Sequence, residues 1–185
     1  MERNQGFSLI EVLVTIVLIT VGFLGMLALQ SKSVQYTKEA VNRNTAITLA
    51  NDLVEMMRVH RSEFFHQQPS SQGIYTQLKA SSVLYNGDGT LKLNAQRCSA
   101  SNIAQSALEQ GHCWLKAVED YLPGSHEAQI KSHIKVCPSF TAGQCAGAGY
   151  QGTSLELQLA WRAQPGECDD SVADSVCTYR TRVEL

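Results

Sequence analysis

Near the start of the chain stands Gly6-Phe7-Ser8-Leu9-Ile10-Glu11, the opening of a long apolar run. From Phe7 to Leu29 this run holds no lysine, arginine or aspartate, and Glu11 is its one glutamate. It is long enough for a helix to cross a bilayer. A secretory signal peptide places a small-residue cleavage site after its apolar run, whereas here the small residue, Gly6, comes before it. A peptidase that cuts after Gly6 would leave the apolar helix on the mature protein.

Glu11 is a carboxylate within an apolar helix, where a charge is costly and usually functional. One alternative is local, because Ser8-Leu9-Ile10-Glu11 fits a capping box in which Glu11 bonds to the first backbone amides. The side chain also lies near enough to the helix start to reach lipid headgroups. If such helices pack into a bundle, Glu11 needs a cation, and cleavage would supply the α-amino group of Phe7 on a neighbouring subunit. Such a pair would set the register between subunits, which predicts a role in polymerisation.

The helix is predicted to continue beyond the apolar run. Residues 31–60 contain no proline or glycine, and apolar residues recur at helical spacing. They are Val34, Val41, Ala46, Leu49, Leu53, Val54 and Met57. One helix of roughly 50 residues, about 80 Å long, is therefore expected to end near Arg61. Residues 7–30 form an apolar transmembrane and assembly segment, and residues 31–62 form an amphipathic continuation that suits packing under a globular head.

The head is predicted to comprise residues 63–185. Residues 62–97 are polar and irregular, with turn chemistry at Asn86-Gly87-Asp88-Gly89. A helix is predicted from Cys113 to Leu122, ended by Pro123-Gly124. Its apolar face would carry Trp114, Leu115, Val118, Tyr121 and Leu122.

The C-terminal part is predicted to be β-structure. Ser132–Val136 is a short candidate strand, and Ser154–Arg162 alternates strictly, with its leucines on one face. Val176–Leu185 is expected to pair antiparallel with Ser154–Arg162. The fold class is therefore α+β: a small antiparallel sheet, apolar on one side, packs on the amphipathic half of the long helix.

All six cysteines lie in the C-terminal half of the chain. If the N-terminus faces the cytoplasm, that half lies in the oxidising periplasm, where disulfides persist. Short loops close most easily, which favours pairing between neighbours in the sequence. Each bridge would contribute ~2–3 kcal/mol. The predicted pairs are Cys98 with Cys113, Cys137 with Cys145, and Cys168 with Cys177.

Neither a metal site nor an enzyme is predicted. There is no CxxC pair, and the acidic residues Glu167, Asp169 and Asp170 lack the ligand spacing of a calcium-binding EF-hand. The five histidines form no HExxH motif, and no GxSxG, P-loop or dinucleotide-binding pattern occurs. The net charge of −2 gives no electrostatic footprint for nucleic acid. No catalytic residue, cofactor or nucleic-acid partner is expected.

The stretch from Gly6 to Val14 resembles the type III leader and helix start of type IV pilins and type II secretion pseudopilins. Residues 21–30 and 49–58 resemble the PilV-type minor pilins in particular. The resemblance implies that a prepilin peptidase cuts between Gly6 and Phe7 and N-methylates Phe7, and that Glu11 acts in assembly. Residues 1–6 are then a leader peptide.

The same resemblance implies a location and partners. The protein would reside as a single-pass protein in the inner membrane, with its N-terminus in the cytoplasm and its head in the periplasm, before it enters a pilus. Its partners would be the peptidase, other minor pilins, the major pilin and a tip adhesin. The hypothesis is a minor pilin that helps to initiate assembly of a type IV pilus at the tip and supports adhesion and twitching motility.

Two alternatives stay open. A pseudopilin of a type II secretion system shares the leader and Glu11, although the six-cysteine head favours the pilus. A helix-anchored periplasmic enzyme or binding module would use Glu11 only as a cap, and it would need no cut after Gly6.

Overall fold

The computed structural model describes residues 8–67, 75–99, 106–147, 149–165, 167–168, 171–173 and 175–185. The chain forms two compact units, Met1–Lys38 and Glu39–Leu185. Helix α1 (Leu9–Val59) has 51 residues and contributes to both. The prediction of one uninterrupted helix that ends near Arg61 is confirmed.

In the second unit, α1 supplies one side of the hydrophobic core. Its buried residues are Ala46, Leu49, Ala50, Leu53, Val54 and Met57. The predicted apolar stripe was too long at its N-terminal end, because Val41 is 56% exposed and Val34, in the first unit, is 54% exposed. Burial therefore begins only at Ala46, where small and branched residues return every three or four positions.

The head contains a four-stranded antiparallel sheet with the strand order β3-β4-β6-β5. Its strands are β3 (Lys135–Pro138), β4 (Ser154–Arg162), β5 (Ser171–Ala173) and β6 (Val176–Glu184). The predicted antiparallel pair of β4 and β6 is confirmed, and its register runs from Ser154 opposite Glu184 to Arg162 opposite Val176. The predicted strand Ser132–Val136 was placed too early. A short helix, α4 (Ala128–Lys131), occupies the preceding residues, and the Ser132 N–H donates to the Ala128 carbonyl.

Strand β4 is buried on both faces, although its leucines lie on one face only, as predicted. Leu155, Leu157 and Leu159 face the core and are fully buried, as predicted. On the opposite face Glu156 and Gln158 are only 5% and 8% exposed. Both side chains are covered by adjacent segments of the same chain, where Glu156 accepts from the Gly143 N–H and Gln158 donates to the His133 carbonyl. The alternation of apolar and polar residues in the sequence identified the two faces of β4, but it did not show that the polar face is buried by hydrogen-bonded neighbours.

Residues 62–97 were predicted to be irregular, which holds for residues 79–94 but not for the other described residues of this range. The described part of this range contains helix α2 (Arg61–Phe64), strand β1 (Phe65–Gln67), strand β2 (Tyr75–Leu78) and a 3₁₀ turn at Ala95–Arg97. β1 and β2 pair antiparallel. Phe64, Leu78, Leu84 and Tyr85 are at most 1% exposed. These core residues lie singly or in short apolar groups with no helical or strand period, so a periodicity argument does not find them.

Helix α3 (Ala107–Tyr121) starts earlier than predicted, at a capping box. The Ser106 hydroxyl accepts from the Glu109 N–H, and the Glu109 carboxylate accepts from the Ser106 N–H. Trp114, Leu115 and Val118 are buried as expected, but Tyr121 is 68% exposed. Tyr121 turns outward because the helix ends there and Leu122, which is 1% exposed, fills the core position instead.

Candidate functional site

The first candidate site is the apolar surface of α1 in the first unit. Every side chain from Leu9 to Leu29 is exposed, and the large apolar ones are 44% to 83% exposed. The mean hydropathy reaches 2.7 in this part of the helix, which makes it long and apolar enough to cross a membrane. An exposed apolar surface of this size marks a membrane or protein contact.

The polar groups within this surface are satisfied by the helix itself. The hydroxyls of Thr15 and Thr20 donate to the carbonyls of Val12 and Val17, each at 2.8 Å. Such back-bonding keeps hydroxyls from facing hydrocarbon unpaired. The hydroxyls in the middle of the segment are therefore not available to bind a partner, and the segment presents an apolar surface there.

Glu11 is the exception. It lies in the first turn of α1, is exposed, and carries the one charge between Leu9 and Leu29. Its backbone N–H donates to the Ser8 carbonyl at 3.0 Å, and the Val12 N–H donates to the same carbonyl at 3.3 Å. Ser8 therefore begins the helix, and the carboxylate is presented one turn later. Its assembly role stays a prediction, and the processing residues Gly6 and Phe7 lie outside the described residues.

A second set of contacts holds α3 on α1 within the head. Trp114, 7% exposed, donates from Nε1 to the Leu49 carbonyl at 2.7 Å. Nearby on α3, His112 is 5% exposed, and its Nδ1 accepts from the Asn94 N–H at 3.0 Å. Burial, with the Arg97 charge as a smaller cause, lowers the pKa of His112. This histidine is a neutral acceptor that fixes the chain before the 3₁₀ turn, which is a structural role.

The other perturbed groups are structural as well. Burial raises the pKa of Tyr85 well above its ordinary value, and its hydroxyl donates to the Lys79 carbonyl at 3.0 Å. Hydrogen bonds from Thr90 lower the pKa of Asp88 in a surface turn.

All six cysteines are paired. The bridges join Cys98 to Cys113, Cys137 to Cys145, and Cys168 to Cys177. These are the pairs expected from closing the shortest loops. Within the described ranges, no three histidine, cysteine or acidic side chains stand close enough together to hold a metal ion. Of the acidic residues considered for calcium, Asp169 and Asp170 lie outside the described residues.

Sequence reasoning missed one feature of the head, a polar row across three strands formed by Lys135, Gln158 and Arg180. The register sets Lys135 opposite Gln158 and Gln158 opposite Arg180. The signal was present in the alternation of β4, which places Gln158 on the face away from the leucines. Pairing β6 with β4 residue by residue would have brought Arg180 to the same row.

Comparison with known proteins gives two matches. The prokaryotic N-terminal methylation motif matches residues 1–27, and the family model described as type IV pilin Tt1218 (Tt1218-like) matches residues 28–108. No curated protein and no solved structure matches the chain. The two matches adjoin one another and take in the whole of α1. The methylation motif, the long N-terminal helix and the disulfide-linked α+β head are together consistent with a type IV pilin, the class to which the two matches relate residues 1–27 and 28–108.

Proposed function

We propose that this type IV pilin is a minor pilin, which helps to initiate assembly of a type IV pilus at its tip and so supports adhesion and twitching motility. The observation that carries the proposal is the methylation motif running directly into a helix whose apolar side chains are exposed. Because burial of apolar surface is the main driving force of association, such a helix is stable only in lipid or against other helices. The family is structural, in keeping with an assembly subunit and not an enzyme.

Glu11 and Phe7 have complementary roles in this proposal. A prepilin peptidase cuts after Gly6, and N-methylation follows at Phe7. The Glu11 carboxylate, exposed near the start of α1, then pairs with the terminal amine of a neighbouring subunit. Away from water such a pair is favourable only when both charges are present, so the contact selects correctly registered neighbours.

The head supports a periplasmic location before assembly. Three disulfides require an oxidising compartment. With the N-terminus in the cytoplasm, α1 would cross the inner membrane once and leave the head on the periplasmic side. Other minor pilins, the major pilin and a tip adhesin are the proposed neighbours in the fibre. The PilV-type resemblance and the six-cysteine head favour the pilus over a secretion pseudopilus.

Mass spectrometry of the N-terminal peptide, from protein purified out of its native membrane, tests the processing step. A mature chain that begins with N-methyl-Phe7 is expected. An uncut Met1 terminus in cells with active prepilin peptidase would refute a filament role.

Sheared surface pili test the assembly step. The chain should be found in the sheared fraction, and the number of pili should fall in a deletion strain. Glu11→Gln should remove the chain from the fraction while leaving it in the membrane. Glu55→Gln is the matched control, since Glu55 lies on the same helix in an exposed ion pair with Arg58. Intact pili with loss of protein secretion in the deletion strain would instead assign the chain to a pseudopilus.

A further inference from the structure

A polar cleft of about 400 Å³ lies on the outer face of the head sheet. Its volume is within the range of small-molecule sites. The row Lys135, Gln158 and Arg180 crosses it, one residue from each of β3, β4 and β6. Because neighbouring strands are about 4.8 Å apart, the α-carbons of the two basic residues are roughly 10 Å apart. The cleft is thus flanked by two cations at a separation that one sugar-sized ligand can bridge.

The Arg180 guanidinium is oriented by contacts behind it. Its Nε and Nη2 donate to Gln158 Oε1 at 3.0 and 2.8 Å. Gln158 is in turn held by its Nε2, which donates to the His133 carbonyl at 2.8 Å. Within the described chain, Nη1 of Arg180 has no hydrogen-bond acceptor. A preorganised cation loses little freedom on binding, so its charge is available to a ligand at low cost.

The carboxylate beneath the cleft does not neutralise these cations fully. Glu156 is 5% exposed, and both of its oxygens accept from the Gly143 N–H at 2.8 Å. Its Oε1 also lies 3.5 Å from Arg180 Nε. Lys135 is exposed, and its Nζ forms no ion pair or hydrogen bond with the described residues. Two cations and two carboxylates line the cleft, so it is not basic overall. The Lys135 ammonium and the Arg180 guanidinium are nevertheless its charged donors, and a ligand carboxylate can accept from both.

A second acceptor faces the same cleft. Asp88 Oδ1 accepts from the Thr90 N–H and hydroxyl at 2.9 and 2.6 Å, while Oδ2 accepts from none of the described groups. Asp88 would repel a ligand that carried carboxylates alone, and it favours one that also brings hydroxyl donors. The described lining combines polar groups with apolar surface, to which the Cys137–Cys145 bridge belongs, so the ligand carries polar groups beside apolar C–H surface.

We propose that this cleft binds an acidic sugar of the uronate class, with the sugar carboxylate against Lys135 and Arg180 and a ring hydroxyl donating to Asp88. Such a site would give the head a ligand outside the fibre. It needs no other subunit, so it can be tested on the purified chain separately from any role in pili.

Isothermal titration calorimetry on the full chain tests the site, in a detergent without sugar, phosphate or carboxylate groups. The probes are D-galacturonate, its neutral counterpart D-galactose, and inorganic phosphate. Galacturonate is expected to bind, and galactose at least about tenfold more weakly, because it lacks the charge-assisted hydrogen bonds. Lys135→Met should weaken galacturonate binding roughly tenfold while keeping the side-chain stem. The control is Lys116→Met, an exposed lysine of α3 that pairs with Asp120, and it should change nothing.

Each other outcome overturns the proposal. If galacturonate does not bind, the cleft is not a uronate site. If galactose binds equally well, the carboxylate is not what the cleft recognises. Phosphate binding as tight as galacturonate would show a general anion site without sugar recognition. Equal losses in Lys135→Met and Lys116→Met would show that net charge, and not this cleft, holds the ligand. Circular dichroism of both variants checks that the head is folded.

Discussion

The two tryptophans of the head allow the value of one buried hydrogen bond to be measured. Trp114 donates to the Leu49 carbonyl at 2.7 Å, whereas the indole N–H of Trp161, fully buried in β4, meets no acceptor among the described residues. Trp114→Phe removes a hydrogen bond worth about 1 kcal/mol and packing worth about 1–2 kcal/mol. We expect the free energy of unfolding to fall by about 2–3 kcal/mol.

Trp161→Phe is the matched control. It loses similar packing, but it also removes a buried donor whose desolvation costs about 1–3 kcal/mol when no partner is present. We therefore expect Trp161→Phe to cost at least about 1 kcal/mol less than Trp114→Phe. The chain has two tryptophans, so each variant keeps one fluorescent reporter.

Urea unfolding of the oxidised full chain in detergent micelles, followed by fluorescence and circular dichroism, gives both values if the m-values agree. A loss in Trp161→Phe equal to or greater than that in Trp114→Phe would refute the argument. In that case packing alone, and not the contact of α3 with the α1 carbonyl, would set the stability of this part of the core.

Three further predictions concern the head. Replacing Cys98 and Cys113 by alanine opens a loop with a sequence separation of 15 and should lower the free energy of unfolding by about 3 kcal/mol. Replacing Cys137 and Cys145, with a separation of 8, should lower it by about 2.5 kcal/mol. Differential scanning calorimetry compares the two variants, and a larger loss for the shorter loop would contradict the loop-entropy account. Because burial lowers the pKa of His112, the stability that this residue contributes is present above its ordinary pKa of 6.5 and is lost as the pH falls below that value. The urea midpoint should therefore drop less steeply between pH 7.5 and 5.5 in His112→Gln than in the unsubstituted chain. An unchanged steepness would contradict this. Gly111→Ala places a Cβ 2.5 Å from Leu84 Cδ2 and 2.9 Å from Leu93 Cδ2. The destabilisation by overpacking, about 1–3 kcal/mol, should outweigh the gain in helix propensity of about 1 kcal/mol. Gly22→Ala, with nothing within 4 Å of the new Cβ, is the control, and a higher melting temperature for Gly111→Ala would show that the two leucines move aside.

Periodic segments could be predicted from the sequence, and isolated contacts could not. Leu9 to Leu29 form one apolar run, apolar residues recur at helical spacing from there to Met57, and Leu155, Leu157 and Leu159 alternate, so α1 and β4 follow directly. Phe64 and Leu84-Tyr85 belong to short apolar groups without a period, and their burial depends on the tertiary fold. The disulfide pairs were within reach because loop closure depends on sequence separation alone.

For the candidate sites the same division holds. Glu11 stands out because a charge in an apolar run is costly wherever the run goes. The row Lys135, Gln158 and Arg180 depends on the register of three strands, and β3 was placed too early in the sequence. The predicted strand Ser132–Val136 already contained Lys135, but neither its partner strand nor its register was predicted, and the row depends on both.

In the proposed fibre, a load along the chain would give the three disulfides a mechanical consequence. Each bridge closes a local loop, with separations of 15, 8 and 9, and none links α1 to the sheet. A force that pulls the two chain ends apart bypasses the closed loops, so non-covalent contacts bear it, among them the nine-residue pairing of β4 with β6. Oxidation would then limit how far an opened head can extend, because each residue held in a loop withholds about 3.3–3.6 Å of chain length. The bridges act as limits on extension more than as anchors of the fold.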